Sequence, residues 1–177
     1  MSRQYFADLL AEPPLANLTA VTATTETGLW APASYSPIAA NDARPGKVYR
    51  LSAGGVLTFA ATGVLTLTPR FGLTVSGVTM GASAALTVPG ILTNQPWRLE
   101  MDIVVRSVGA PGANSTITGT GHLVSNALGV ANSSVALSFG GTVATADVSV
   151  ATGIFIGWTL SVAGSVTPHY VVFQSLN

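Results

Sequence analysis

Trp97-Arg-Leu-Glu-Met-Asp-Ile-Val-Val-Arg106 is the stretch whose pattern decides the fold class. Trp97, Leu99, Met101, Ile103 and Val105 fall on one side of a two-residue period, and Arg98, Glu100, Asp102, Val104 and Arg106 on the other. Successive side chains of an extended chain point to opposite faces, so this pattern predicts a strand with one face in a core and one in water. The chain has seven acidic and seven basic side chains, and four of these fourteen sit on that outer face. Arg98 and Glu100 are same-face neighbours and are expected to pair, a contact worth at most about 1 kcal/mol when exposed.

Upstream, residues 28–106 keep strand-like patterning broken by turn residues. Asn41-Asp42 and Arg44-Pro45-Gly46 predict a turn, followed by a strand over residues 47–52. Gly54-Gly55 leads into Val56-Leu-Thr-Phe-Ala60, Ala61-Thr-Gly63 turns the chain, and Val64-Leu-Thr-Leu-Thr68 returns it. This pair predicts a β-hairpin, with Pro69 ending its second strand. Downstream, Ile154, Ile156, Trp158, Leu160 and Val162 alternate with Phe155, Gly157, Thr159 and Ser161, and residues 170–175 form a last strand candidate. About eight short strands with no long helix predict an all-β sandwich or barrel, with a jelly-roll-like sandwich as the leading form. The absence of helix–strand alternation argues against α/β architectures.

The N-terminal part reads differently. Tyr5, Phe6, Leu9 and Leu10 fall at i, i+1, i+4 and i+5, a helical apolar stripe that Pro13 and Pro14 would end. So short a helix does not stand alone in water and must dock, either on its own domain or on a neighbouring subunit. Residues 1–26 are therefore assigned to a short docking arm and residues 27–177 to the sandwich body, with Tyr5, Phe6, Leu9 and Leu10 as candidate docking residues.

Charge is the unusual property. Only 8% of the 177 residues are charged, the formal net charge is zero and mean hydropathy is +0.51; an average soluble domain has about 25% charged residues. Asp147 is the one charged residue after position 106. Sandwich edges in water are defended by charge, and these are not, so burial against partner subunits is the leading expectation, with a surface neutral-polar by design as the alternative. No run approaches the ~20 apolar residues of a spanning helix, the N-terminus has no apolar core of a signal peptide, and no basic stripe offers itself to nucleic acid. Neither a membrane nor a nucleic acid is thus expected as partner.

Catalytic and metal signatures are weak. With no cysteine there is no disulfide or thiolate chemistry. His122 and His169 lack neighbouring ligands at metal-site spacing, and both are expected to be ordinary strand or turn residues. Gly-x-Ser-x-Gly is absent. Glu100 and Asp102 would lie about 7 Å apart on one strand face, a tolerable spacing for a glycosidase pair. Arg98 and Arg106 bracket them, and salt-bridged surface acids are the expected state. Gly119-Thr-Gly121 lacks the following Lys and helix of a phosphate loop and is expected to be a glycine-softened strand. Asn17, Asn114 and Asn132 begin Asn-x-Ser/Thr triplets of the kind a Ser/Thr-rich chain yields by chance. Trp97 and Trp158 are expected in the core, and Trp30 in the core or at an interface. No enzyme activity, cofactor or metal is expected.

Several stretches carry a resemblance. Leu29-Trp30, Pro37-Ile-Ala-Ala-Asn-Asp-Ala-Arg-Pro-Gly-Lys-Val-Tyr-Arg-Leu-Ser-Ala-Gly-Gly55, Leu65-Thr-Leu-Thr-Pro-Arg-Phe-Gly72, Gly109-Ala-Pro-Gly-Ala-Asn-Ser115, Gly157-Trp-Thr-Leu-Ser-Val-Ala-Gly-Ser-Val-Thr-Pro168 and Gln174-Ser-Leu-Asn177 resemble small structural proteins of tailed phages of actinobacteria. The resemblance covers most of the body from Leu29 onward and is weakest in the arm. It implies a capsid decoration (cement) protein, made in the bacterial host cytoplasm. Such a protein would be a homotrimer on the capsid exterior, contacting the major capsid protein through terminal arms. A tail- or fibre-associated protein binding host-surface carbohydrate is the alternative.

Overall fold

The computed structural model describes residues 8–11, 17–22, 24–83, 85–88, 90–110, 113–125 and 135–176. In chain order its strands are β1 (Asp8–Ala11), β2 (Thr27–Gly28), β3 (Pro37–Ile38), β4 (Val48–Phe59), β5 (Gly63–Phe71), β6 (Val78–Thr79), β7 (Leu86–Val88), β8 (Leu92–Ser107), β9 (Ser115–Ser125), β10 (Val135–Ala146), β11 (Thr152–Leu160) and β12 (Gly164–Ser175). One helical turn, α1 (Pro32–Tyr35), lies between β2 and β3. All strand pairs are antiparallel and form two sheets. The larger has the order β1-β12-β4-β8-β9-β10; the smaller runs β2-β11-β5-β6, with β3 also on β11 and β7 also on β5. The protein is an all-β sandwich, with β8, β9 and β10 as a continuous meander in the larger sheet.

The alternation of the opening stretch decides which face of β8 is buried. Trp97, Leu99, Met101, Ile103 and Val105 lie in the core, while Arg98 and Arg106 are exposed. Tyr49, Leu51 and Leu57 on β4, Ile117 and Leu123 on β9, and Val166, Val171 and Phe173 on β12 complete the inner face of the larger sheet. Leu65, Leu67 and Phe71 of β5 and Ile154, Ile156, Trp158 and Leu160 of β11 meet them from the smaller sheet. Trp97 and Trp158 pack against each other across the sandwich with centroids 6.3 Å apart. Tyr49 and Phe173, diagonal neighbours on adjacent strands, stack at 5.6 Å.

Three local expectations are corrected. The hairpin over residues 56–68 does not form: β4 pairs with β12 and β8, whereas β5 pairs with β11, β6 and β7. Residues 60–62 carry the chain from one sheet to the other, so that Leu57 and Phe59 face Leu65 and Leu67 across the core instead of lying beside them. Pro69 does not end β5 but lies inside it, opposite Ile156. Its carbonyl accepts from the Met80 N–H at 2.9 Å. The N and O of one residue lie on the same side of a strand, so the missing Pro69 N–H falls beyond the end of two-residue β6, where no ladder is broken. Gly54-Gly55 does not precede a strand either; it lies within twelve-residue β4. Gly54 lies beneath the Tyr170 ring, where a Cβ would sit 2.6 Å from the ring, and Gly55 faces the bulge between Pro168 and Tyr170.

The second face of β11 is not left to water. Phe155 lies against Gly28, Glu26 covers Gly157, and Pro32 of α1 lies over Gly153. Glu26 is held by a two-pronged ion pair from Arg70, both contacts at 2.7 Å, and Arg70 also donates to the Gly77 carbonyl. Val21 joins the core through a bridge to Val166. Leu18, Val21 and Glu26 thus contact the packed body. At the approach to β4, Asp42 accepts from Lys47 at 2.6 Å and from the Tyr49 hydroxyl at 2.9 Å. Burial by itself raises the Asp42 pKa, but these hydrogen bonds and the charges of Lys47 and Arg44 outweigh it and hold the carboxyl below its ordinary value. Burial, then the hydrogen bond to Asp42 and its charge, push the Tyr49 phenol far above its ordinary value.

Two predictions follow from the packing and from this cluster. Leu99→Ala, at a fully buried position, is expected to lower stability by about 2–5 kcal/mol in urea denaturation, and Val104→Thr on the opposite face by no more than about 0.5 kcal/mol; equal losses would contradict the assignment of faces. Because the folded pKa of Asp42 is depressed, its stabilisation is present above the unfolded carboxyl pKa of about 4 and disappears as pH falls through the folded value. Asp42→Asn should therefore narrow the stability difference between neutral and strongly acidic solution, measured by denaturation at each pH.

Candidate functional site

Two features stand out on the exterior: the strand that closes the β12 edge and the polar outer face of the larger sheet. At the edge, Asp8 pairs with Ser175, Leu9 with Gln174 and Ala11 with Phe173, with a bulge between Leu9 and Ala11. The helical stripe expected over Tyr5, Phe6, Leu9 and Leu10 is therefore corrected for its second half, since Leu9 and Leu10 belong to a strand. The reason is that an isolated turn or two of helix gains little, while an open sheet edge offers a row of unpaired backbone donors and acceptors. Tyr5 and Phe6 lie outside the described residues. Leu9 points out beside Gln174 and is 51% exposed. Leu10 points inward and lines an apolar groove of about 360 Å³ with Pro37, Ile38, Leu73, Ala151 and Thr152.

Leu73 and Val75 on the loop after β5, and Val150 on the loop before β11, extend the apolar character of this end and are all substantially exposed. Sequence alone could not single them out. Each is an isolated apolar residue in a loop, and the β5–β11 ladder, extended by the hydrogen bond from the Gly72 N–H to the Gly153 carbonyl, brings the two loops together.

The polar face is set by register. Arg50 on β4, Asp102 on β8, Thr120 on β9 and Gly140 on β10 are consecutive partners across the sheet, and the next rung contains Ser52, Glu100 and His122. Arg50 grips Asp102 through two hydrogen bonds of 2.8 and 3.0 Å. Arg98 pairs with Glu100, and His122 Nε2 lies 3.7 Å from the same carboxylate. Arg50, Glu100, Asp102, Thr120, Gly121 and His122 are among the residues that line an open depression of about 750 Å³. Tyr170, with its ring over Gly54, borders the Arg98 rung. Both acids of the expected pair, Glu100 and Asp102, are thus engaged by guanidinium groups. Arg50 was not legible as the partner of Asp102, because 52 residues separate them and only strand register joins them. Tyr170 is brought to this face by the bulge after Pro168, which no local pattern announces.

The remaining sequence candidates fall into structural positions. Trp97 and Trp158 are core residues. Trp30 is buried, and its indole N–H donates to Ser36, whose hydroxyl donates to the Ile154 carbonyl. Gly119 and Gly121 lie inside β9, where a Cβ on Gly119 would collide with the Met101 side chain and one on Gly121 with the Glu100 carbonyl. His169 lies at the β12 bulge. Among the described residues no three His, Asp or Glu side chains gather as metal ligands, and no helix is long and apolar enough to cross a membrane.

Charge is arranged to cancel. Glu26–Arg70, Asp42–Lys47, Asp102–Arg50 and Glu100–Arg98 are four ion pairs, which account for eight of the fourteen formal charges. The two pairs on the sheet face are solvent-exposed, so they orient side chains more than they stabilise the fold. The double variant Glu100→Gln, Asp102→Asn is expected to change unfolding free energy by no more than about 1 kcal/mol. A loss of several kcal/mol in urea titration would mean that the outer face is structurally indispensable.

No family model matches the chain, and no curated protein or solved structure matches it.

Proposed function

We propose that this chain is a virion structural protein, a trimeric capsid decoration (cement) protein that seats on the major capsid protein at the capsid exterior. The observation that carries this reading is electrostatic. With net charge zero and eight of fourteen charges paired within the molecule, little long-range repulsion keeps copies apart. The exposed Leu73, Val75 and Val150 give one end an apolar surface of the kind that subunit contacts cover. The resemblance of the body to structural proteins of tailed phages supports the same reading. Mechanistically, such a subunit acts as a ligand of the assembled shell: binding the assembled state and not the free subunits stabilises the shell by mass action. Many copies then multiply a modest contact.

The second reading, a tail- or fibre-associated protein that binds carbohydrate on the host surface, is favoured by Tyr170 beside a hydrogen-bonding face. An aromatic ring and paired Arg and carboxylate groups are the chemistry that holds a sugar.

Removing residues 1–10 is expected to leave the sandwich folded, by circular dichroism, and to weaken co-sedimentation with capsids stripped of decoration. Undiminished binding of the shortened chain would remove the arm from the proposal. A full-length chain that ignores capsids, together with virion images placing it on the tail, would replace the first reading by the second.

A further inference from the structure

We infer that the outer face of the larger sheet binds an uncharged oligosaccharide, with Tyr170 stacking on one sugar ring while Glu100 and His122 share a hydroxyl group of the next. The inference rests on the carbohydrate chemistry of the second reading above, and adds the ligand class and the residues that hold it.

The aromatic platform is built on a glycine. The Tyr170 atoms Cε1, Cζ and Oη lie 2.6, 2.7 and 2.7 Å from the position a Cβ on Gly54 would occupy. Near-equal distances to three adjacent ring atoms mean that the ring lies broadside over the glycine and does not meet it edge-on. Its inner face covers bare backbone, and Tyr170 remains 37% exposed, which leaves the outer face of the ring to solvent. The face of an aromatic ring is electron-rich and apolar, so it suits the C–H side of a sugar ring.

Register sets the distance to the polar groups. Gly54 is opposite Arg98, and the next rung brings Ser52, Glu100 and His122 together. From Gly54 to His122 is two strand spacings sideways and one rung along, about 12 Å. One sugar ring does not cover that span, and two linked rings do. The second ring falls over the open depression that Glu100, Asp102, Thr120 and His122 help to line.

The chemistry of that depression suits hydroxyl groups. His122 Nε2 lies 3.7 Å from Glu100 Oε2, too far for a direct hydrogen bond and close enough for one oxygen to bridge. A hydroxyl group can donate to the carboxylate while accepting from an imidazole N–H. Arg50 uses Nε and Nη2 on Asp102, and Arg98 uses Nη2 on Glu100. Each guanidinium therefore keeps further N–H groups for ligand oxygens. Charge selects the class of sugar. Each carboxylate already has its guanidinium, so an ionic ligand attracted by one member of a pair is repelled by the other. An uncharged polyol hydrogen-bonds to both and breaks neither pair, which is electrostatic complementarity to a neutral ligand.

The test applies the full-length protein to immobilised neutral glucans, mannans, galactans and arabinans, with uronic-acid polymers as charged counterparts. Retention is expected on a neutral glycan and not on the uronic-acid polymers. Tyr170→Leu is expected to weaken it about tenfold, and Tyr170→Phe, which keeps the ring, by no more than about threefold. His122→Ala is expected to weaken it about fivefold. His122 is half-exposed, so this variant tests the site even where Tyr170→Leu disturbs folding. Binding of a neutral glycan that neither Tyr170→Leu nor His122→Ala weakens overturns this site and leaves the carbohydrate reading in place. Retention by the uronic-acid polymers alone overturns the neutral class. No retention by any of these glycans removes both the inference and the carbohydrate reading, and leaves the capsid reading untouched.

Discussion

Everything in this molecule depends on the contact of two inward faces, one from β8 and one from β11, with Trp97 and Trp158 meeting across the sandwich. Each large aromatic removes much apolar area from water, and the pair adds a ring–ring contact. Both indole N–H groups are buried with no hydrogen-bond partner among the described residues. A buried, unsatisfied donor costs about 1–3 kcal/mol. The side chains occur there because apolar burial outweighs that cost. Around this contact β8 takes the middle of the larger sheet and β11 is covered on both sides. The charged residues of β8 are thereby forced outward onto one shared face.

That forced placement explains the electrostatics. A sheet with one buried face presents alternate residues to water, and on β4, β8 and β9 these include Arg50, Arg98, Glu100, Asp102 and His122. Their mutual pairing cancels the local field. The face offers hydrogen bonds without strong attraction for ions, which suits a neutral polar surface or ligand. Elsewhere, among the described residues, the exterior is mostly Thr, Ser, Ala, Gly and scattered aliphatic residues, with Arg44, Arg106 and Asp147 as exposed charges. In an isolated domain such a surface resists association poorly, and the proposed shell location turns that property into the means of binding.

The edges follow the same economy. Instead of charge, the sandwich uses its own chain: Met80 and Gly81 lie against the inner face of β10, residues 26–32 cover the back of β11, and β1 caps β12. Of these covers β1 is held by backbone pairing with the β12 edge.

The sequence by itself determined the all-β class, the buried and exposed faces of β8, the inward aliphatic side of β11 and the core location of Trp97 and Trp158. Period-two alternation is a local signal, and a one-residue slip would reverse it. It also determined the shortage of charge and the Arg98–Glu100 pair, which needs only spacing. Tertiary structure decided what depends on partners far apart in sequence. The pairs around Gly-Val-Leu-Thr in β4 and β5 look alike whether they form a hairpin or face each other from two sheets, and competition for strand neighbours selected the second. Pro69 is tolerated because its missing donor lies beyond β6, a matter of neighbour length. Leu9 and Leu10 fit a helical stripe by spacing, yet an open edge of β12 drew them into a strand. The Arg50–Asp102 pair, the position of Tyr170 over Gly54 and the groove that receives Leu10 arise only from register and bulges, because they join residues whose separation along the chain carries no information about their separation in space.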